Sequence, residues 1–99
     1  MSSLILTNNR IKSISDISES VPNIENIFLM NNKISDLQEV FKLNSCKKLQ
    51  RLVLVNNMVT EMPNYRLQVI GRIPGLRVLD FEKVTKAERI EAEKLLNEG

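Results

Sequence analysis

The sequence predicts an α/β solenoid with parallel strands on a concave face, short helices on a convex face and a C-terminal capping helix. Three observations support this fold class. A segment of the form apolar-x-Leu-x-Asn-Asn-x-apolar-x-x-apolar starts at Leu4, Ile27 and Leu52, at intervals of 23 and 25 residues. The 99-residue chain is 42% hydrophobic but only 4% aromatic, which fits an aliphatic core. A charge-rich segment with a helix-initiation signal follows the last repeat.

The strand of each repeat supplies the predicted core. Side chains alternate along a strand, so its two outer apolar residues point to the same side of the sheet. The pairs expected to stack inward are Leu4/Leu6, Ile27/Leu29, Leu52/Leu54 and, in a fourth strand, Leu79/Phe81. This pattern and spacing are typical of leucine-rich repeats. We predict a single domain over residues 1–99, with repeats at about 1–23, 24–48 and 49–75 and a cap over 76–99.

Polar positions in the repeat also have an expected structural role. The second Asn of each pair (Asn9, Asn32 and Asn57) follows the strand, where its amide can bond to backbone groups of the buried turn. We therefore predict a ladder of asparagines along the solenoid.

The two ends of the solenoid differ. Thr85 and Glu88 have the spacing of a capping box, which predicts that a helix begins there and covers the last strand. The first strand starts almost at Met1 with no equivalent cap. We expect its edge to be covered by preceding sequence, by neighbouring molecules or by self-association with a second copy.

The strand residues on the other face are the candidates for function, because they are not needed in the predicted core. The predicted partner-binding surface comprises Ile5, Thr7, Asn26, Phe28, Met30, Arg51, Val53, Val55 and Asp80. A concave apolar trough suits an amphipathic helix, with Phe28 and Met30 as anchors and Arg51, Asp80 and Glu82 as a charged rim. The alternative is that these residues only favour strand formation, which explains the valines better than the aromatic and methionine side chains.

Basic residues in the turns form a second candidate site. Arg10, Lys12 and Lys33 follow the Asn-Asn pairs and are predicted to lie on one edge, where they could contact an RNA backbone. The alternative is an ordinary solvated surface, since the net charge is only +2. No aromatic residues are interleaved with these cations, so stacking on single-stranded bases is not predicted.

Several classes of function are disfavoured. The chain has no His and no glycine-rich phosphate loop, and Cys46 therefore lacks the usual catalytic partner. We predict a protein that is not an enzyme and has no cofactor or metal. A lone cysteine, the absence of a long apolar span and the absence of a signal-peptide pattern predict an intracellular protein that does not associate with a membrane.

The C-terminal sequence carries a more specific resemblance. The run Arg77-Val-Leu-Asp-Phe-x-Lys-Val, followed by Glu88-Arg89-x-x-Ala92-Glu93, looks like a leucine-rich-repeat cap motif. Together with Leu-Ile-Leu-Thr-Asn-Asn at residues 4–9, it resembles the A-prime family of subunits of the spliceosomal U2 small nuclear ribonucleoprotein. The resemblance covers essentially the whole chain, although family members carry further repeats and an N-terminal cap before this region.

The resemblance implies a nuclear, non-catalytic function in pre-mRNA splicing. Its concave face would hold a helix of an RNA-recognition-motif protein, B-double-prime, and the pair would bind a stem-loop of U2 small nuclear RNA. The residues that would meet the helix are Ile5, Phe28, Met30, Val53 and Val55, and those nearest the RNA would be Arg10 and Lys33. The alternative function is a leucine-rich-repeat adaptor outside splicing, such as a phosphatase-regulatory or axonemal dynein-type subunit.

Overall fold

A computed structural model of the chain describes residues 3–7, 10 and 14–98. The strands in this part are β1 (Ser3–Ile5), β2 (Asn26–Phe28), β3 (Arg51–Val53), β4 (Val78–Leu79) and β5 (Glu82–Lys83). The α-helices are α1 (Ser15–Ser20), α2 (Leu37–Phe41), α3 (Tyr65–Arg72) and α4 (Lys86–Glu98), and 3-10 helices span Lys42–Ser45 and Met58–Glu61. None of these helices combines the length and the apolar character needed to cross a membrane.

The strands form one sheet in chain order, as expected for a solenoid. β1 to β4 run parallel, and β5 pairs antiparallel with β4. Leu4, Ile27, Leu52 and Leu79 lie in register across the four parallel strands. Each parallel strand therefore contributes the same position to one row, and the predicted α/β leucine-rich-repeat fold is confirmed.

The core lies between this row and the helices. Ile27, Leu52 and Leu79 are fully buried and belong to one cluster with helix residues such as Val40 and Val69. Burying an aliphatic side chain of this size contributes about 1.5–3 kcal/mol, so stacked rows can stabilise a sheet with very short strands. Leu4 is only partly buried, because its strand has a neighbour on one side of the described sheet.

The predicted asparagine ladder is present in the second and third repeats. The amide nitrogen of Asn57 donates to the carbonyls of Leu29 (2.8 Å) and Leu54 (2.9 Å), and its oxygen accepts the Ile34 N–H at 3.1 Å. Asn32 donates to the carbonyl of Leu29 in the same manner. Asn9 lies outside the described residues. These bonds satisfy backbone groups that a buried turn would otherwise leave unpaired.

The first Asn of the second and third pairs has a different role. Asn31 and Asn56 adopt left-handed conformations with φ of 57° and 62°. Asn tolerates this conformation better than most residues because its short polar side chain can bond locally. The Asn-Asn pair thus combines a residue whose left-handed conformation turns the chain with a residue whose side chain hydrogen-bonds the backbone groups of the turn.

The C-terminal cap forms as predicted. The Glu88 N–H donates to the Thr85 hydroxyl (3.1 Å), and the Thr85 N–H donates to the Glu88 carboxylate (3.0 Å). Arg66 of α3 bonds the same carboxylate and the carbonyl of Leu79 (2.9 Å). Ala92 of α4 is fully buried in the core. One guanidinium therefore joins α3, the end of the sheet and the capping helix.

The fourth strand departs from the prediction that Leu79 and Phe81 both point inward. The strand ends at Leu79, and Asp80 and Phe81 take left-handed conformations with φ of 52° and 68°. Two consecutive residues with positive φ make the two-residue turn that joins β4 to antiparallel β5. Phe81 consequently lies on the surface, with 61% of its area exposed. The prediction failed because the repeat pattern was extended past the point where the chain reverses.

Candidate protein-binding face

The sheet surface opposite the helices carries a row of apolar side chains. Ile5, Phe28 and Val53 are paired in register on β1, β2 and β3. Adjacent strands are about 4.8 Å apart, so these side chains lie next to one another in one row. Ile5 is 67% exposed and Phe28 is partly exposed. We call this surface the concave face, and its apolar side chains remain available to a partner at these two positions.

A second row extends the apolar surface toward the carboxyl ends of the strands. Thr7, Met30 and Val55 each lie two residues beyond the first row, and each is partly buried. The backbone stays paired here, since the Leu29 N–H donates to the Val53 carbonyl (2.9 Å) and the Asn31 N–H to the Val55 carbonyl (3.1 Å). The parallel ladder thus holds Met30 and Val55 beside one another.

Two predicted contact residues are less accessible than expected. Val53 has no exposed surface, although it is absent from the main core cluster, because its short side chain lies in the middle of the row beside the larger Phe28. Asn26 is only 5% exposed, and its amide donates to the Ser3 hydroxyl at 3.2 Å. The expectation that both side chains pack nothing within the chain is therefore wrong.

The predicted role of Asp80 as part of the charged rim is also wrong. One carboxylate oxygen accepts the Leu54 N–H at 2.6 Å, and the other accepts the Tyr65 hydroxyl at 2.8 Å. Burial, followed by the charge of Asp80, raises the pKa of the Tyr65 hydroxyl, so tyrosine stays the donor. Asp80 thus accepts a hydrogen bond from the backbone N–H of Leu54, much as Asn57 accepts one from the backbone N–H of Ile34.

A groove of about 350 Å³ opens at the amino ends of the strands, beside the apolar rows. Its lining consists of Glu25, Asn26, Gln50, Arg51, Arg77, Val78 and Lys83. Two of these, Arg51 and Asn26, are contact residues predicted from the sequence. Lys83 reaches the groove through the β4–β5 hairpin, which the repeat pattern does not predict, and Arg77 lies one residue before β4. Glu82, the predicted acidic rim residue, is not part of the lining.

The turn residues proposed for RNA contact are exposed where the structure describes them. Arg10 and Lys33 are both solvent-accessible, whereas Lys12 lies outside the described residues. Lys33 directly follows Asn32, whose burial fixes the position of the turn.

Cys46 has a structural environment. Its side chain is 2% exposed within the core, and burial raises the pKa of its thiol. A raised pKa lowers the thiolate population, so this environment favours a packing role over a nucleophilic one.

Comparison with known proteins places these features in a family. A family model described as "Leucine-rich repeat" matches residues 1–98. The U2 small nuclear ribonucleoprotein A′ of Arabidopsis thaliana is 41% identical over 98 residues, covering 98% of this chain and 39% of that protein. The human U2 small nuclear ribonucleoprotein A′ is 40% identical over 96 residues, covering 96% of this chain and 38% of its own length. The chain thus spans about two fifths of these curated relatives.

Solved structures show the same relationship. The Drosophila melanogaster SNF/U2A′ complex contains a chain that is 32% identical, matches with a TM-score of 0.88, and is covered over 63% of its length by the whole of this chain. The leucine-rich-repeat domain of Mex67 from Chaetomium thermophilum matches at 25% identity with a TM-score of 0.77, covering 91% of this chain and 63% of that domain chain. The sequence resembles the U2 A′ subunits over nearly its full length, and the chain belongs to the leucine-rich-repeat family.

Proposed function

We propose that this chain belongs to a non-catalytic, U2 A-prime-like scaffold that holds a helix of an RNA-recognition-motif protein on its concave face. The observation that carries the proposal is the accessible apolar surface of Ile5 and Phe28 on neighbouring strands, in a chain that resembles U2 A′ subunits over 96–98% of its length. Exposed apolar side chains that do not pack in the core of a solenoid commonly form a binding surface.

The shape and chemistry of the face favour a helix as the ligand. Phe28 ends β2 and Met30 lies two residues beyond it, and both side chains are partly exposed. Backbone pairing continues there through the Leu29 and Asn31 N–H groups, so alternation places both side chains on the same side of the sheet. Aromatic and methionine side chains supply much of the contact energy at apolar grooves that accept amphipathic helices. A B-double-prime-like protein is the partner that the relationship to U2 A′ subunits favours.

The RNA would be bound by the assembled pair rather than by this chain alone. The exposed Arg10 and Lys33 can approach phosphates, but the face has no row of aromatic side chains on which bases could stack. We propose that both cations assist the binding of U2 small nuclear RNA in the nucleus, during the assembly that precedes pre-mRNA splicing.

The partner-binding proposal is tested with Phe28→Asp. The variant should weaken binding of a B-double-prime-type protein from the same genome by at least about 2 kcal/mol, or about 30-fold, because a buried anchor becomes a desolvated charge. The matched control is Met58→Asp, since Met58 is 70% exposed at the start of the 3-10 helix Met58–Glu61, outside the concave face. Calorimetry gives the affinity, and circular dichroism checks that both variants fold. An unchanged affinity for Phe28→Asp would refute the proposal.

The alternative function outside splicing is separated by recovery experiments. The tagged protein should recover an RNA-recognition-motif protein and U2 RNA from nuclear extract. Recovery of phosphatase or dynein chains instead would identify a repeat adaptor of another type. Combining Arg10→Ala with Lys33→Ala should reduce the slope of log affinity for RNA against log salt by about one per lost contact. A slope that does not change would remove the two cations from the proposal.

A further inference from the structure

We propose that the groove at the amino ends of the strands binds acidic side chains of the helix that docks on the concave face, and thereby sets the direction in which the helix lies. This inference rests on the proposed function and adds the charge pattern that the partner must carry. The observation behind it is a cluster of cations that have no ion-pair partner among the residues the structure describes, next to the apolar rows.

The groove combines positive charge with access. Arg51, Arg77 and Lys83 line it, and all three are exposed. Across residues 3–7, 10 and 14–98, no carboxylate lies within ion-pair distance of any of them, whereas Arg66, Lys42 and Lys94 do have such partners. Cations held in a concavity without internal counter-charges raise the local concentration of anionic ligands.

The groove is continuous with the apolar surface. The register places Asn26, Arg51 and Val78 in one row, two residues before the row that contains Phe28 and Val53. Alternation puts both rows on the same side of the sheet. A helix seated on Phe28 can therefore extend over the groove, and carboxylates at that end of it would meet the cations.

The lining favours a protein ligand over a nucleic-acid backbone. Glu25 lies in the same wall, beside the amides of Asn26 and Gln50. A polyanionic phosphate backbone is repelled by such an acid, whereas a peptide can present single carboxylates to the cations and a polar group to the Gln50 amide. The carboxyl ends of the strands differ from the groove, because their exposed cations, Arg10 and Lys33, lie after the Asn-Asn turns and outside the groove lining.

The distribution of charge along the concave face sets the orientation of the docked helix. Toward the carboxyl ends of the strands the sheet presents the apolar side chains of Met30 and Val55, and the cations Arg10 and Lys33 lie only beyond them, after the turns; the amino ends present three cations in one groove. A helix with acidic residues at one end and apolar residues at the other fits in one direction only, because the reverse placement would leave its carboxylates against apolar side chains. Charged positions of this kind contribute chiefly to specificity and association rate.

The test combines Arg77→Glu with Lys83→Glu. Neither side chain has an ion pair with any residue in the described ranges, so folding should persist, and Arg77→Gln with Lys83→Gln provides a milder second variant. The control is Lys47→Glu with Lys86→Glu, which changes the net charge equally at exposed positions outside the groove lining that also have no ion pair among the described residues. The probe is the purified B-double-prime-type protein, measured by fluorescence anisotropy and stopped-flow at two salt concentrations.

The charge-reversed groove variant should bind about tenfold more weakly at about 0.1 M salt, mainly through slower association, and the difference should shrink at about 1 M salt. Replacing acidic residues of the partner helix by Lys should restore its binding. The control variant should resemble the parent. Equal effects in the groove and control variants, or a loss seen with isolated U2 stem-loop RNA and not with the protein, would overturn the inference. If Phe28→Asp abolishes binding while the groove variants do not weaken it, the proposed function stands and this inference fails.

Discussion

Replacing Asn57 by Ala tests how the asparagine ladder stabilises the solenoid. Asn57 is 3% exposed and makes three bonds: two from its amide to the carbonyls of Leu29 and Leu54, and one from the Ile34 N–H to its oxygen. Alanine keeps the backbone conformation accessible and removes all three bonds. The expected loss of stability depends on which hydrogen-bond partners each of the three backbone groups retains.

The three groups are affected unequally. The Leu29 carbonyl keeps the amide of Asn32, and the Leu54 carbonyl keeps the backbone N–H of Asn57 at 3.2 Å. Each of these lost bonds should cost about 0.5–1.5 kcal/mol. The Ile34 N–H has no other partner in the described part of the chain, and a buried unpaired N–H costs about 1–3 kcal/mol. Together these costs are about 2–6 kcal/mol, and we expect the free energy of unfolding to fall by about 3 kcal/mol, in the lower half of that range, because losses that share one side chain do not add fully.

Urea denaturation followed by circular dichroism measures this change. With a slope of about 2 kcal/mol per M, the unfolding midpoint should fall by about 1.5 M. The control is Asn44→Ala, because Asn44 is exposed in the 3-10 helix Lys42–Ser45. If Asn57→Ala shifted the midpoint no more than this control, the ladder would not be a principal stabilising feature and the reasoning would be refuted.

Two further predictions concern the C-terminal cap. The hydrogen bond from Arg66, with smaller effects from Thr85, holds the pKa of Glu88 at about 2 rather than 4.5, so its charge stabilises the fold above about pH 5 and this stabilisation is lost as the pH falls toward 2. Glu88→Gln should therefore be less stable than the parent by about 1 kcal/mol at neutral pH and equal to it near pH 2 in urea titrations, whereas a difference independent of pH would exclude this ion pair. Phe81→Gly should raise the unfolding free energy by about 1 kcal/mol in the same assay, because glycine relieves the positive φ and creates an Asp-Gly turn. A loss of about 3 kcal/mol or more would instead indicate that Phe81 is buried.

Part of the candidate site could be predicted from periodicity. Alternation along each strand assigned Ile5, Phe28 and Met30 to the face opposite the core, and the structure leaves all three with accessible surface. The accessibility of Val53 could not be predicted, because it depends on the size of side chains on the adjacent strand. The partner-binding role of these residues stays a prediction until the variants are measured.

The cationic groove could not be found from the sequence, although its residues are close to predicted positions. Arg77 and Lys83 are six residues apart, and a continued repeat pattern gives them unrelated places. They line one groove because the chain reverses at Asp80 and Phe81, which brings Lys83 into register with Val78. A two-residue turn without glycine has no strong sequence signal, since both residues adopt a conformation that they disfavour in isolation.

The sequence by itself determined the repeat, the inward row of aliphatic side chains, the asparagine ladder and the capping box that begins α4. Each of these depends on the spacing of residues within one repeat or one helical turn, which local stereochemistry fixes. Only the tertiary structure decided which concave-face residues stay accessible, that Asp80 serves Leu54 and Tyr65, and that three cations share a groove. Those outcomes depend on contacts between segments that lie far apart in the chain, and burial and charge proximity there follow from how the whole sheet is assembled.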